Sequence, residues 1–100
     1  MGSSMVRHKV RPEHADENVA LVRAVYAQLA EERPEGIHYA TFRLPGGVSF
    51  MHLVIDSDQP GRILGEMAAF KAFVGEIESR CEEPPVATEV TLVGAYAVGL

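Results

Sequence analysis

A chain of 100 residues with a formal net charge of −5 has room for one hydrophobic core. That charge is the wrong sign for a nucleic-acid binder, whose affinity comes largely from neutralising phosphates with Lys and Arg. With 47% hydrophobic and 23% charged residues the composition is that of a globular domain, and no apolar run approaches the ~20 residues that span a bilayer.

Nucleic-acid and membrane partners are therefore not expected. The N-terminus lacks the basic patch and apolar run of a secretory signal. Cys81 is the single cysteine, which excludes an internal disulfide and fits a reducing cytoplasm. Its expected role is a small buried hydrophobe on the second helix.

Residues 1–4 read as a cloning remnant before a natural start at Met5, and residues 5–100 as a single domain. From 5 to 11 the chain alternates, with Met5, Arg7 and Lys9 on one side and Val6, His8 and Val10 on the other. This is a strand, ended by Pro12, which has no N–H for a ladder. Arg7, Lys9 and Arg11 are the one basic cluster, and their period of two marks a solvated or interface-facing side. From 13 to 33 the period lengthens. Ala15, Val19, Val22, Tyr26 and Leu29 trace a helix stripe that Val25 widens, with Glu13, Asp16 and Glu17 at the end where acids are favoured. Pro34 and Gly36 stop it.

Residues 37–55 form a hairpin around Pro45-Gly46-Gly47. With Gly46 and Gly47 as a two-residue turn, Leu44 faces Ser49, Phe42 faces Met51, Thr41 faces His52 and Tyr39 faces Val54. One side then carries Ala40, Phe42, Leu44, Met51, Leu53 and Ile55, and is expected to face the helices. The other carries Tyr39, Thr41, Arg43, Phe50, His52 and Val54. A three-residue loop with a bulge would instead set His52 against Phe42.

Residues 60–67 read as a weak helix with Asp58 as a candidate cap. From Ala68 the signal improves, and Phe70, Phe73, Val74, Ile77 and Cys81 trace one stripe that residues 82–85 end. Residues 86–98 read as a last strand, with Val90, Leu92, Tyr96 and Val98 on one side and Thr91, Val93 and Ala95 on the other.

The order strand, helix, strand, strand, helix, strand predicts an α+β, ferredoxin-like βαββαβ fold, an antiparallel sheet with both helices on one face. Both sides of that sheet are apolar or aromatic. Large exposed apolar faces are rare on monomers, so a homodimer packed sheet against sheet is expected.

The segments VRHKVRPEHADENVALVRAVYAQL, YATFRLPGGVSFMHLV and AAFKAFVGEIESRC, leading into EVTLVGAYAV, carry a resemblance that spans nearly the whole chain from Met5. The chain resembles the dimeric α+β barrel superfamily, in particular the small proteins grouped with the antibiotic biosynthesis monooxygenases. The resemblance implies a homodimer whose two sheets form a barrel, with a small apolar pocket in each subunit for an aromatic or quinone-like molecule. It also implies, for some members, oxidation by molecular oxygen with neither metal nor flavin, so no cofactor is expected. Fold does not fix chemistry in this superfamily, which also holds isomerases, haem-handling enzymes and proteins of unknown role. Haem-degrading relatives rely on a Trp with an Asn and a His. This chain has no Trp and its only Asn is Asn18, which argues against haem degradation.

His52, mid-strand among apolar neighbours, is the candidate general base, since burial moves an imidazole pKa across neutrality. The alternative is a satisfied core histidine bonded to Thr41. Arg43 and Tyr39 share its side and are candidate substrate-binding groups for a phenolate or enolate; their alternatives are an interface ion pair with Glu89 and plain packing. His8 is a further substrate-binding candidate on a central strand, with a structural role as its alternative. His14 and His38 lie at element ends. No two histidines share an i, i+4 helical spacing and there is no Cys pair, so no metal is expected. The function this predicts is binding, and cofactor-independent monooxygenation, of a small aromatic or quinol; the alternative is a non-enzymatic stress-related or regulatory barrel.

Overall fold

The computed structural model describes residues 2–57 and 59–96, apart from the Asp56 side chain. Its strands β1 (Gly2–Val10), β2 (Tyr39–Arg43), β3 (Ser49–Ser57) and β4 (Cys81–Val90) form one sheet in the order β2-β3-β1-β4. All its pairings are antiparallel. After a 3-10 turn at Pro12–His14 comes α1 (Ala15–Glu32); between β3 and β4 lie α2 (Pro60–Gly65), α3 (Ala68–Gly75) and α4 (Ile77–Arg80). The helices pack on one face, which makes this the ferredoxin-like α+β arrangement the element order predicts.

The hairpin register is the first of the two expected, with Tyr39 opposite Val54, Thr41 opposite His52 and Phe42 opposite Met51. The turn itself differs. Gly47 N–H donates to Leu44 O at 3.1 Å and Gly46 has φ 98°, a β-turn with Pro45 and Gly46 at its centre, and the loop runs from Pro45 to Val48. Gly46 and Gly47 both take the positive φ that glycine tolerates.

The assignment of faces must be reversed. Phe50, His52 and Val54 are buried under the helices, Phe50 within a cluster with Val10, Ala15 and Cys81. The open face carries Ala40, Phe42, Met51, Leu53 and Ile55, with Met5 and Arg7 paired to Leu53 and Met51. Phe42, expected inside, is 48% exposed. Strand alternation divides residues into two sets but does not orient them, and here both sets are largely apolar.

Three boundaries also move. β1 begins at Gly2, and Gly2 and Ser4 pair with Ser57 and Val54 of β3, so residues 2–4 belong to the sheet. The helix expected to reach Cys81 breaks at Glu76, where φ −129° and ψ 29° leave the helical region just after Gly75, a poor helix former. Val74 is exposed as a result, and Cys81 is buried as expected but opens β4 opposite Val10. Pro84 and Pro85 lie within β4, which an edge strand allows. Residues 91–96 form no strand; the pairing of β4 with β1 ends at Val90, opposite Ser3. Asp58 and Val98 lie outside the described residues.

A second cluster joins Val25 of α1 to Leu64, Met67 and Phe73. His8 and His52 lie where the two clusters meet, touching Phe50 and Phe73. No helix is long and apolar enough to cross a membrane among the described residues.

Candidate functional site

Antiparallel pairing puts His8 opposite Phe50, and Val6 opposite His52, so the two histidines are diagonal neighbours on adjacent central strands. Their rings stack at 5.1 Å between centroids and 14° between planes. The stack continues on both sides: Phe50 lies 5.4 Å from His8, Tyr39 lies 6.1 Å from His52, and Tyr26 of α1 lies 5.4 Å from Tyr39. Phe73 of α3 closes over both imidazoles at a tilt. His8 and His52 are only 3% and 4% exposed.

The polar atoms form a chain. Tyr26 Oη and Thr41 Oγ1 are 2.7 Å apart, Thr41 Oγ1 lies 2.9 Å from His52 Nδ1, and Tyr39 Oη lies 3.1 Å from the same nitrogen. Either direction works: the hydroxyls donate toward Nδ1, or Nδ1–H donates to Thr41 and Thr41 to Tyr26. The Asn18 amide of α1 lies 3.3 Å from His8 Nε2 of β1 and donates to it, which leaves the His8 proton on Nδ1. His8 Nδ1, Asn18 Oδ1 and His52 Nε2 are buried without a partner among the described residues.

Burial holds the His52 pKa down to about 4, with the neighbouring His8 adding to the effect. His8 is lowered too, by burial against the opposing Asn18 bond, and further by the Arg80 charge. Burial raises Tyr39 well above the ordinary tyrosine value, helped by Tyr26, and raises Tyr26 against the pull of its bond to Thr41. Both imidazoles are thus neutral at pH 7, and both phenols keep their protons.

Of the residues chosen from sequence, His52, Tyr39 and His8 are brought together. Arg43 is on the same side but at the exposed rim. Its Nε donates to Gly47 O at 2.9 Å, its guanidinium lies 5.8 Å from the Phe50 centroid, and Nη2 is 4.0 Å from Asp16 Oδ1. Within the same chain Glu89 lies on the far strand, opposite Ser4. Beside Arg43, a groove of about 370 Å³ runs between α1 and the hairpin. Val19, Val22 and Phe50 give it apolar walls, Tyr26 and Thr41 give it hydroxyls, and Arg23 and Arg43 give it guanidiniums. His52 does not line this groove but is bonded to Thr41, which does. No three His, Cys, Asp or Glu side chains gather to hold a metal ion among the described residues.

No family model and no curated protein matches the sequence. Solved structures do. An antibiotic biosynthesis monooxygenase superposes with a TM-score of 0.74 at 15% identity, over 94% of this chain and 100% of that one. A Bacteroides thetaiotaomicron protein provisionally named an antibiotic biosynthesis monooxygenase gives 0.78 at 15%, over 99% and 92%. A protein of unknown function from Nitrosomonas europaea gives 0.68 at 20%, over 94% and 90%. In fold, the chain resembles the antibiotic biosynthesis monooxygenase-like proteins. At such identities the likeness concerns the fold, and the chemistry must be argued from this chain's own residues.

Against that fold, sequence reasoning overlooked three residues. In the sequence Tyr26 reads only as part of an apolar helix stripe. Asn18, fully buried, lies three residues after Ala15 and four before Val22 on the same helix face, a polar intrusion that signals a partner on the sheet. Arg80 carries no such signal, because the helical stripe in the sequence runs on to Cys81. It is 3% exposed, donates from Nη2 to Phe73 O, and places its guanidinium 5.7 Å from the Phe73 ring, which it steadies over the two imidazoles.

Proposed function

We propose that the protein is a homodimeric barrel that binds a small aromatic or quinol in the α1–hairpin groove and oxygenates it with molecular oxygen, without a cofactor. The observation that carries this reading is the chain Tyr26–Thr41–His52, which links the groove to a buried neutral imidazole. A substrate hydroxyl at Thr41 passes its proton to the threonine oxygen as Thr41 passes its own to His52 Nδ1. The ionised quinol gives one electron to dioxygen, and the radical pair recombines at a ring carbon as a hydroperoxide. Loss of water leaves a carbonyl, so that hydroquinone and O₂ become hydroxyquinone and H₂O.

The energetics are demanding but workable. Moving a proton from a phenol of pKa about 10 to an imidazole at about 4 is uphill by about 8 kcal/mol. A turnover near 1 s⁻¹ corresponds to a barrier of about 17 kcal/mol, which leaves room for the oxygen step. Arg43 at the rim lowers the cost by holding the anion. Fold neighbours named for antibiotic biosynthesis monooxygenation support the reaction class. The apolar open face, with Phe42 and Val86 exposed, supports the dimer.

A second reading, a non-enzymatic binding barrel, is favoured by one observation: the imidazoles are almost completely enclosed and neither lines the groove. Oxygen uptake by the purified protein with hydroquinones and polyhydroxylated aromatics separates the two, run beside His52→Gln and Thr41→Val. Turnover lost in both folded variants supports the oxygenase. Turnover that survives His52→Gln keeps the enzyme and discards the imidazole, and silence across the panel favours the binding barrel.

A further inference from the structure

We infer that the groove takes a planar aromatic bearing a permanent carboxylate, with the acid group held between Arg23 and Arg43. This rests on the reading that the groove is the ligand site, but not on oxygenation.

The groove walls specify the body of the ligand. Val19, Val22 and Phe50 offer apolar surface and a ring face, and about 370 Å³ is near the lower end of small-molecule pockets, room for one to three fused rings. The two hydroxyls are bonded to each other at 2.7 Å, and Thr41 also to His52. The charges specify the rest. A chain of net charge −5 places two guanidiniums on this one groove.

Arg23 makes no ion pair or hydrogen bond among the described residues. The one carboxylate near Arg43 among the described residues is Asp16, at 4.0 Å, beyond hydrogen-bond length and fully exposed to water. The Nε bond to Gly47 O, together with the Phe50 ring beneath, holds the Arg43 plane and leaves its terminal nitrogens for a planar bidentate acceptor. One guanidinium is enough for charge that develops on a ring during reaction. A second one answers a charge the ligand already carries.

The test compares naphthalene-2-carboxylate with naphthalene-2-carboxamide, the same body with and without charge, by amide chemical-shift titration of the full chain. The carboxylate should bind about tenfold more tightly, with shifts centred on Val19, Val22 and Thr41. Arg23→Gln and Arg43→Gln, both at exposed positions, should each erase about threefold to tenfold of that preference, read as the ratio of the two probes' affinities in each variant. Equal affinity for the two probes, a preference that survives both variants, or shifts elsewhere would overturn the inference. The oxygenase reading is scored separately. A carboxylate preference with no oxygen uptake keeps the clamp and removes the oxygenase, whereas equal uptake from neutral and acidic quinols keeps the oxygenase and overturns the clamp.

Discussion

His52 and His8 are held neutral in a stack of rings, and this has a consequence for stability. Between about pH 6.5 and about pH 4 the unfolded chain accepts a proton at position 52 that the folded chain refuses. Stability is therefore lost as pH falls through that window, by about 1.4 kcal/mol per unit and about 3 kcal/mol in all for His52. His8 acts in the same direction. Urea midpoints measured from pH 7 down to pH 4.5 should fall steeply, and His52→Gln should flatten the slope. An unchanged slope would mean that another group carries it. Thr41→Val keeps the shape but strands the Tyr26 hydroxyl and leaves His52 Nδ1 with Tyr39 alone, and should lower stability by about 1–2 kcal/mol in the same assay at pH 7. At this scale the sequence pointed to His52 because an imidazole amid apolar neighbours is conspicuous. Tyr26 was not legible as a member of the site, since its partner comes from the hairpin after the helix, and Asn18 signalled a partner on the sheet without saying which.

Among the elements, two turns bear the clearest backbone constraints. Gly46 has open space where a Cβ would sit, yet its φ of 98° is a conformation an L side chain resists. Gly46→Ala should cost about 1 kcal/mol on conformation alone, read as a drop in the urea midpoint. Arg33 ends α1 in the left-handed region at φ 47°, where its N–H reaches Leu29 O at 2.8 Å. Glycine is the residue that fits there, so Arg33→Gly should gain about 0.5–1 kcal/mol in the same measurement. The number of strands and their order along the chain were readable from period and turn residues, and the hairpin register was one of two that the pattern allowed. The ends of β4 were not readable, because they are set by its pairing with β1, which is distant along the chain.

For the whole molecule the prediction concerns the open sheet face. Phe42 is 48% exposed, and residues beyond β4 carry Val93 and Tyr96 almost wholly in solvent, at 98% and 93%. A sedimentation or native mass measurement at micromolar concentration should give twice the 10.9 kDa of the chain. Phe42→Glu should shift it toward the single-chain mass without unfolding, since this side chain is not in the protomer core. A wild-type mass near 11 kDa would sink the dimer.

What the sequence by itself determined about this protein is its periodicity: which stretches alternate, which recur at helical spacing, and which residues share a side of a strand. From these follow the ferredoxin-like order and the grouping of Tyr39, Thr41, Arg43 and His52 on one side of the hairpin. Only the tertiary structure decided which side is covered. Alternation is symmetric under a flip of the sheet, and the flip is settled by what α1 and α3 bring to the contact. Here they bring Tyr26 to Thr41, Asn18 to His8 and Phe73 over both imidazoles. Those partners satisfy part of the polar side and bury it, while the more uniformly apolar side is left open.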